Sequence, residues 1–379
     1  MTAALVPLRG PAPSLLPRIA KVRADGDIPL VTDERWSDEQ WLTVCAKVRG
    51  AEQNPGTAWA TLTSGSGGAA RIVLRTSESW ASSFPIVAEL LDADANDAVA
   101  LPAPPSSSLT LFSIAHARHG GPRPLLSRGH ALNPADFGAA TCFHGTPHAF
   151  RALLDAGAPP RLRAALVGGS HLDPVLRARA EALGIRVSAY YGAAELSFVA
   201  LDRGDGLRAF PGAQLRVDGT ELWVRSPYIA QGYLTGAGPL RLDDGWATVG
   251  DRAELVPDPL GPAVRLLGRA DDAILSASAT IVPEEVEAAL RSLSGVRDAV
   301  VFGIPQHRLG ALIATQVEPE PGIELTLAGL RAGSARLLGP AHRPRRWFTG
   351  DLPRTASGKP ARAEALRRVL AGEVASLER

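Results

Sequence analysis

Residues 162–195 constrain the fold more than any other stretch of the chain. Ala164, Ala165, Leu166 and Val167 form an unbroken apolar run, the pattern of a strand buried on both faces. Gly168-Gly169 closes it. Asp173-Pro174 then marks a helix start, with proline in the first turn. Residues 175–183 keep helical spacing and Gly184 stops them. The next strand follows over residues 185–191 and ends at Gly192. Strand, helix and strand at this spacing predict a parallel βαβ crossover. The chain is therefore expected to be an α/β protein.

With 379 residues the chain can hold two or three domains around large cores. Charged residues make up 21% and the net charge is only +1, so no overall field points to nucleic acid or to an anionic membrane surface. No apolar run approaches the roughly 18 residues of a membrane span. The first segment lacks the continuous apolar core of a secretory signal, which makes the cytoplasm the default expectation. Cys45 and Cys142 have no metal-type spacing and form no disulfide framework. Basic charge is almost all arginine, and lysine occurs only at Lys21, Lys47 and Lys359.

Along the rest of the chain, the first 25 or so residues read as an irregular lead. Residues 28–31 form a short strand, and Asp33 is the expected N-cap of a helix through Trp36, Trp41 and Val44. Residues 59–62 read as a strand, residues 72–74 as another, and Ser77 as the cap of one helix reaching residue 91. Residues 214–233 alternate as a hairpin turning at Asp218-Gly219. Residues 246–267 are β-rich. Beyond Gly268 the pattern changes to helix (283–293), strand (298–304), strand (311–317), helix to about 338 and helix 361–370. This predicts a first domain over 1–268 and a small α+β domain over 269–379.

Five segments carry groups suited to chemistry, and each also reads as ordinary structure. Thr63-Ser64-Gly65-Ser66-Gly67-Gly68 brings backbone N–H groups close to any anion, with Arg71 adding charge. It is no Walker A loop, and a plain turn remains open. Tyr190-Tyr191-Gly192-Ala193-Ala194-Glu195 ends a parallel strand, where ligands of open α/β sheets gather. Glu195 there suits Mg²⁺, or simply a helix start. Asp251, after the Gly250 turn, could accept two hydroxyls or close an Asx turn. Gly268-Arg269-Ala270-Asp271-Asp272 is a charged turn. Gly358-Lys359 presents one cation from a glycine-containing loop.

Their order and spacing resemble the adenylate-forming superfamily of acyl- and aryl-CoA synthetases, peptide-synthetase adenylation domains and luciferases, from about residue 57 onward. Thr63, Ser64, Gly65, Ser66 and Gly68 resemble its phosphate loop. Gly168-Gly169 matches its strand-Gly-Gly segment, and Tyr191-Gly192-Ala193-Ala194-Glu195 its Tyr-Gly-x-Thr-Glu motif. The segment ELWVRSPYIAQGY over 221–233 is similar to the hairpin before its Gly-Asp segment. Asp271 falls at its hinge and Lys359 at its catalytic lysine. The shortened front end most resembles o-succinylbenzoate–CoA ligases and other small acid–CoA ligases.

The resemblance implies the adenylate-forming enzyme fold: a large domain of parallel βαβ layers plus a β-rich subdomain, and a small mobile C-terminal domain. It implies ATP, Mg²⁺ and CoA, with a small carboxylic acid converted to acyl-AMP and then to a thioester. Within it Lys359, Glu195 and Arg71 offset the repulsion between two anions. Thr63, the loop glycines and serines, Gly169, Tyr191, Gly192, Asp251 and Arg269 hold the nucleotide. Glu195 holds the metal, and His116 and Gly168 line the acyl pocket. Self-association into a homodimer is left open. The sequence departs from the family at Gly67, Ala70 and Arg71 for Thr, Pro and Lys, at Ala194 for Thr, and at Ser276-Ala277-Ser278 for Ser-Gly-Gly. These departures leave two further readings. In one, an adenylating enzyme passes the acyl group to a carrier protein or an amine. In the other, the chain binds nucleotide without turnover.

Overall fold

The computed structural model describes residues 3–32, 34, 36–63, 71–129, 132–236, 238–269, 274–276, 279–306, 310–355 and 358–377. The predicted crossover is present. Strand Ala164–Gly168 runs parallel to Arg186–Ala193, with helix Pro174–Ala182 between them. The Asp173 side chain accepts the Val175 N–H at 2.9 Å and caps that helix, a contribution of about 1 kcal/mol.

These two strands are the centre of a seven-stranded sheet. Its order is Arg208–Ala209, Ser197–Asp202, Arg186–Ala193, Ala164–Gly168, Cys142–Gly145, Ala98–Leu101 and Arg123–Leu126. The last five are parallel, Ser197–Asp202 runs against them, and Arg208–Ala209 is antiparallel to Ser197–Asp202. A five-stranded sheet packs beside it, built from Leu5–Leu8, Ile28–Val31, Thr57–Thr63, Arg71–Thr76 and Gly232–Tyr233. The predicted hairpin appears as Gln214–Asp218 against Glu221–Arg225, inside an antiparallel sheet that ends at Ala263–Arg269. A fourth sheet draws only on residues from 274 onward. Its longest pair is Val296–Gln306 against Gly310–Pro319.

The lead segment is not irregular. It forms strand Leu5–Leu8 and helix Ala12–Ala24. Pro17 lies inside that helix, where a missing N–H and a ring clash cost about 3 kcal/mol. Leu15, Ile19 and Val22 are nevertheless buried in the main core, at about 1.5–3 kcal/mol each, so packing outweighs local preference. The single helix expected from Ser77 is two, Ser77–Ala81 and Phe84–Leu91. Thr76, not Ser77, caps the first, and Pro85 sits in the first turn of the second. The expected Asp33 cap lies outside the described residues. The helix it was to start runs Asp38–Val48, from a Ser37–Gln40 capping box. Among the described residues no helix is long and apolar enough to cross a membrane.

Candidate active site

The carboxyl ends of the parallel strands open on a cleft of about 2190 Å³ that also takes residues from the fourth-sheet unit. Thr63, Arg71, Gly169, Tyr191, Gly192, Glu195, Asp251 and Lys359 all line it. Segments hundreds of residues apart in sequence are thus brought to one crevice, at the place where open α/β sheets bind ligands.

Glu195 does not start a helix. It sits in the tight turn joining antiparallel strands Arg186–Ala193 and Ser197–Asp202. The turn demands Gly192, because a Cβ there would lie 2.0 Å from the Ser197 carbonyl oxygen. Glu195 is buried, and the Tyr233 hydroxyl donates to its Oε1 at 2.9 Å. Burial, then the Glu195 charge, raises the Tyr233 pKa.

Beneath this turn lies Arg75, wholly buried. Its Nη2 donates to the Ala194 carbonyl at 2.5 Å and its Nη1 to the Tyr228 carbonyl at 2.6 Å. Loss of water lowers the Arg75 pKa to about 9, against the opposing pull of Glu195. Sequence reasoning missed this residue. Its signal is an arginine directly after the apolar run Ile72-Val73-Leu74 in the strand Arg71–Thr76, since a charge inside such a strand needs a partner.

Asp251 follows Gly250, whose φ of +83° makes the turn. The Tyr191 hydroxyl donates to Asp251 Oδ2. In the strand pairing Asp251 lies opposite Arg269. Thr63 ends its strand opposite Arg71, and the buried Thr63 Oγ1 has no hydrogen-bond partner among the described residues. Ser64, Gly65, Ser66, Gly67, Gly68, Asp271 and Ala277-Ser278 lie outside the described residues.

Lys359 is solvent-accessible within the cleft. Its side chain runs over Gly169, where a Cβ would come within 3.0 Å of the lysine Cε. The loop beneath it is braced from both sides. Thr355 N–H donates to the Lys359 carbonyl at 2.8 Å, and Arg354 binds Asp298 and Glu318, each at 2.9 Å. Among the described residues, ion pairs join this unit to the larger one at Arg151–Glu320, 3.1 Å, and Arg297–Asp155, 3.5 Å.

The acyl-pocket expectations need correction. His116 is packed in the core, stacked on Phe84 at 4.8 Å, and does not line the cleft. Gly168 is covered by the Tyr190 ring, which a Cβ would strike at 2.2 Å. His144, His148 and His171 line the cleft instead, and of these His144 sits beside the Tyr190 ring. Its Nδ1 pairs with Ser113 Oγ at 2.8 Å and its Nε2 with the Tyr190 hydroxyl at 3.0 Å. It is the next-to-last residue of the strand Cys142–Gly145, just before the Thr146-Pro147 helix start. A polar residue at the carboxyl end of an apolar strand was the signal available.

No cluster of three or more His, Cys, Asp or Glu able to hold a metal occurs among the described residues. The Glu195 carboxylate on the cleft suits Mg²⁺, which commonly takes one or two protein carboxylates and completes its shell with phosphates and water.

A two-unit fold with the cleft at the strand ends defines the class. The chain belongs to the AMP-binding enzyme family, whose pattern it matches over residues 10–234, and it matches the AMP-binding enzyme C-terminal domain over 285–359. A probable 2-succinylbenzoate–CoA ligase of Mycobacterium tuberculosis is 35% identical over 235 residues, 59% of each chain. The medium/long-chain-fatty-acid–[acyl-carrier-protein] ligase FadD10 of the same organism is 28% identical over 243 residues, 54% of this chain and 44% of that one. The chain thus spans about half the length of these relatives. The fold is that of o-succinylbenzoate CoA synthetase from Bacillus subtilis, solved with its acyl-adenylate intermediate. The TM-score is 0.79 at 18% identity, over 96% of this chain and 88% of that one.

Removing the buried guanidinium should leave the Ala194 and Tyr228 carbonyls and Glu195 without their partner. We expect Arg75→Met to cost about 3–5 kcal/mol in urea unfolding; a loss under about 1 kcal/mol contradicts the assigned role. Burial also depresses His116 to about 4 and His144 to about 3, below the ordinary value of about 6.5 in the unfolded chain. Between these values the unfolded chain binds more protons, so stability is complete above about pH 6.5 and falls as pH drops toward the folded pKa values. His116→Leu should flatten this fall, and an unchanged slope in pH-dependent urea unfolding rules out His116 as a source.

Proposed function

We propose that this protein is an ATP-dependent acid–CoA ligase that forms an acyl-adenylate and then a thioester. The observation that carries this reading is the Lys359 side chain lying over Gly169 in the cleft that holds Glu195 and Asp251. In the first step the acid's carboxylate oxygen attacks the α-phosphorus of ATP, and pyrophosphate leaves with the bridging oxygen. Both reactants are anions, so charge must be offset at the point of attack. Lys359 does so from the C-terminal unit, and Arg71 from the end of its strand. Asp251, held by Tyr191 and set opposite Arg269, accepts the ribose hydroxyls. Mg²⁺ bound by Glu195 and the phosphates supplies further charge neutralisation. Closure over the cleft keeps water from the labile mixed anhydride.

The unit from residue 269 onward then turns about Asp271, and the CoA thiol attacks the acyl carbonyl, releasing AMP. A carrier-protein thiol as acceptor is the second reading, favoured by the similarity to an acyl-carrier-protein ligase. The fold offers no transmembrane helix among the described residues, and we place the reaction in the cytoplasm.

The test is acid-dependent ATP–pyrophosphate exchange, wild type against Lys359→Ala. Losing one preorganised charge-stabilising group should lower the rate at least about 10²-fold with unchanged thermal unfolding. Equal exchange by the two proteins removes Lys359 from the mechanism. Exchange without acyl-CoA product transfers support to the carrier-protein acceptor.

A further inference from the structure

The cleft is closed at one end by a wall of aromatic rings. Trp80, Phe112 and Phe198 line it, yet each is at most 3% exposed. Their centroids lie close: Trp80 to Phe112 at 5.7 Å edge-on, Phe112 to Phe198 at 5.1 Å edge-on, and Phe198 to Tyr190 at 4.7 Å. The stack continues behind them through Trp59 against Trp80 at 5.7 Å and Phe210 against Phe198 at 4.8 Å. Interiors packed this way hold few voids larger than a water molecule. A long acyl tail could enter only by displacing several rings at once.

The wall has one polar element. His144 is clamped between Ser113 and Tyr190, and burial holds its imidazole neutral down to about pH 3. Among the described residues from 80 to 144 that line the cleft, none is charged at neutral pH. A second carboxylate driven against this wall would lose water, and the Arg75 guanidinium behind Trp80, 5.6 Å from its ring, is wholly buried and already bound to the Ala194 and Tyr228 carbonyls, so the cost is several kcal/mol. A neutral hydroxyl or carbonyl, by contrast, could share the Tyr190 hydroxyl.

We infer that the acyl subsite ends at Phe112, His144, Tyr190 and Phe198, and that it takes compact acids with a single carboxylate, such as short-chain or one-ring monocarboxylic acids. This rests on the proposed adenylating function and goes beyond it by naming the substrate class. It also separates this chain from a succinylbenzoate-type substrate, which carries two carboxylates.

The experiment measures ATP–pyrophosphate exchange with propanoate, benzoate, dodecanoate and 2-succinylbenzoate. Benzoyl- and dodecanoyl-sulfamoyl adenosine are then compared in calorimetry, which reads the subsite without turnover. The better of propanoate and benzoate should exceed both other acids at least tenfold in kcat/KM, and the benzoyl analogue should bind at least tenfold tighter than the dodecanoyl one. Phe112→Leu, with Phe198→Leu as a second opening should the first fail to fold, should raise dodecanoate relative to benzoate at least threefold. Dodecanoate or 2-succinylbenzoate matching the compact acids in the wild type overturns the substrate class and leaves the adenylating function standing. No exchange with any acid and no binding of either analogue overturns both.

Discussion

A guanidinium without water organises the larger unit. Arg75 has lost its solvent entirely, so its N–H groups must find acceptors within the fold. They find the Ala194 and Tyr228 carbonyls, which belong to two turns far from Arg75 in sequence. The first of these turns carries Glu195, whose backbone carbonyl in turn accepts the Ala230 N–H at 2.7 Å. The two turns are thereby tied to each other and to the strand Arg71–Thr76. That strand leads back through Arg71 to Thr63 at the mouth of the cleft. The carboxylate that faces the phosphates in the proposed reaction is thus fixed by a charge that never reaches solvent.

Against this fixed half, the C-terminal unit brings one ammonium group. Its loop is braced by Arg354 on Asp298 and Glu318, and its position is set by Arg151–Glu320 and Arg297–Asp155. Such partly exposed pairs are individually weak. That suits the turn of this unit in the proposed reaction, because contacts worth little each can be exchanged at small cost. Gly169, at φ +93°, leaves the space that the lysine stem occupies.

Much of this was legible in the sequence for physical reasons. The βαβ unit announced itself through one fully apolar strand, a second of β-like composition, an Asp-Pro helix start and glycine stops. The cleft residues Glu195, Asp251 and Lys359 stood in segments of recognisable order. The helix Ala12–Ala24 was hidden because Pro13 and Pro17 obscure it locally, while the burial of Leu15, Ile19 and Val22 that stabilises it is tertiary. Arg75 was hidden because its acceptors are backbone carbonyls, which leave no trace in side-chain pattern. His116 was placed at the acyl pocket by its position in the family pattern, and such a position does not say which face of its helix meets the core. His144 reaches the cleft from the strand Cys142–Gly145.

The central claim is that Lys359 works inside the cleft against nucleotide and acid. A chain with three lysines allows a direct measurement: acetylation by a limiting amine-reactive reagent, quantified by mass spectrometry at Lys21, Lys47 and Lys359, with and without a non-hydrolysable acyl-sulfamoyl adenosine. The account predicts at least tenfold protection of Lys359 on addition of the analogue, with Lys21 labelled at the same rate throughout. Equal labelling of Lys359 with the analogue bound contradicts it.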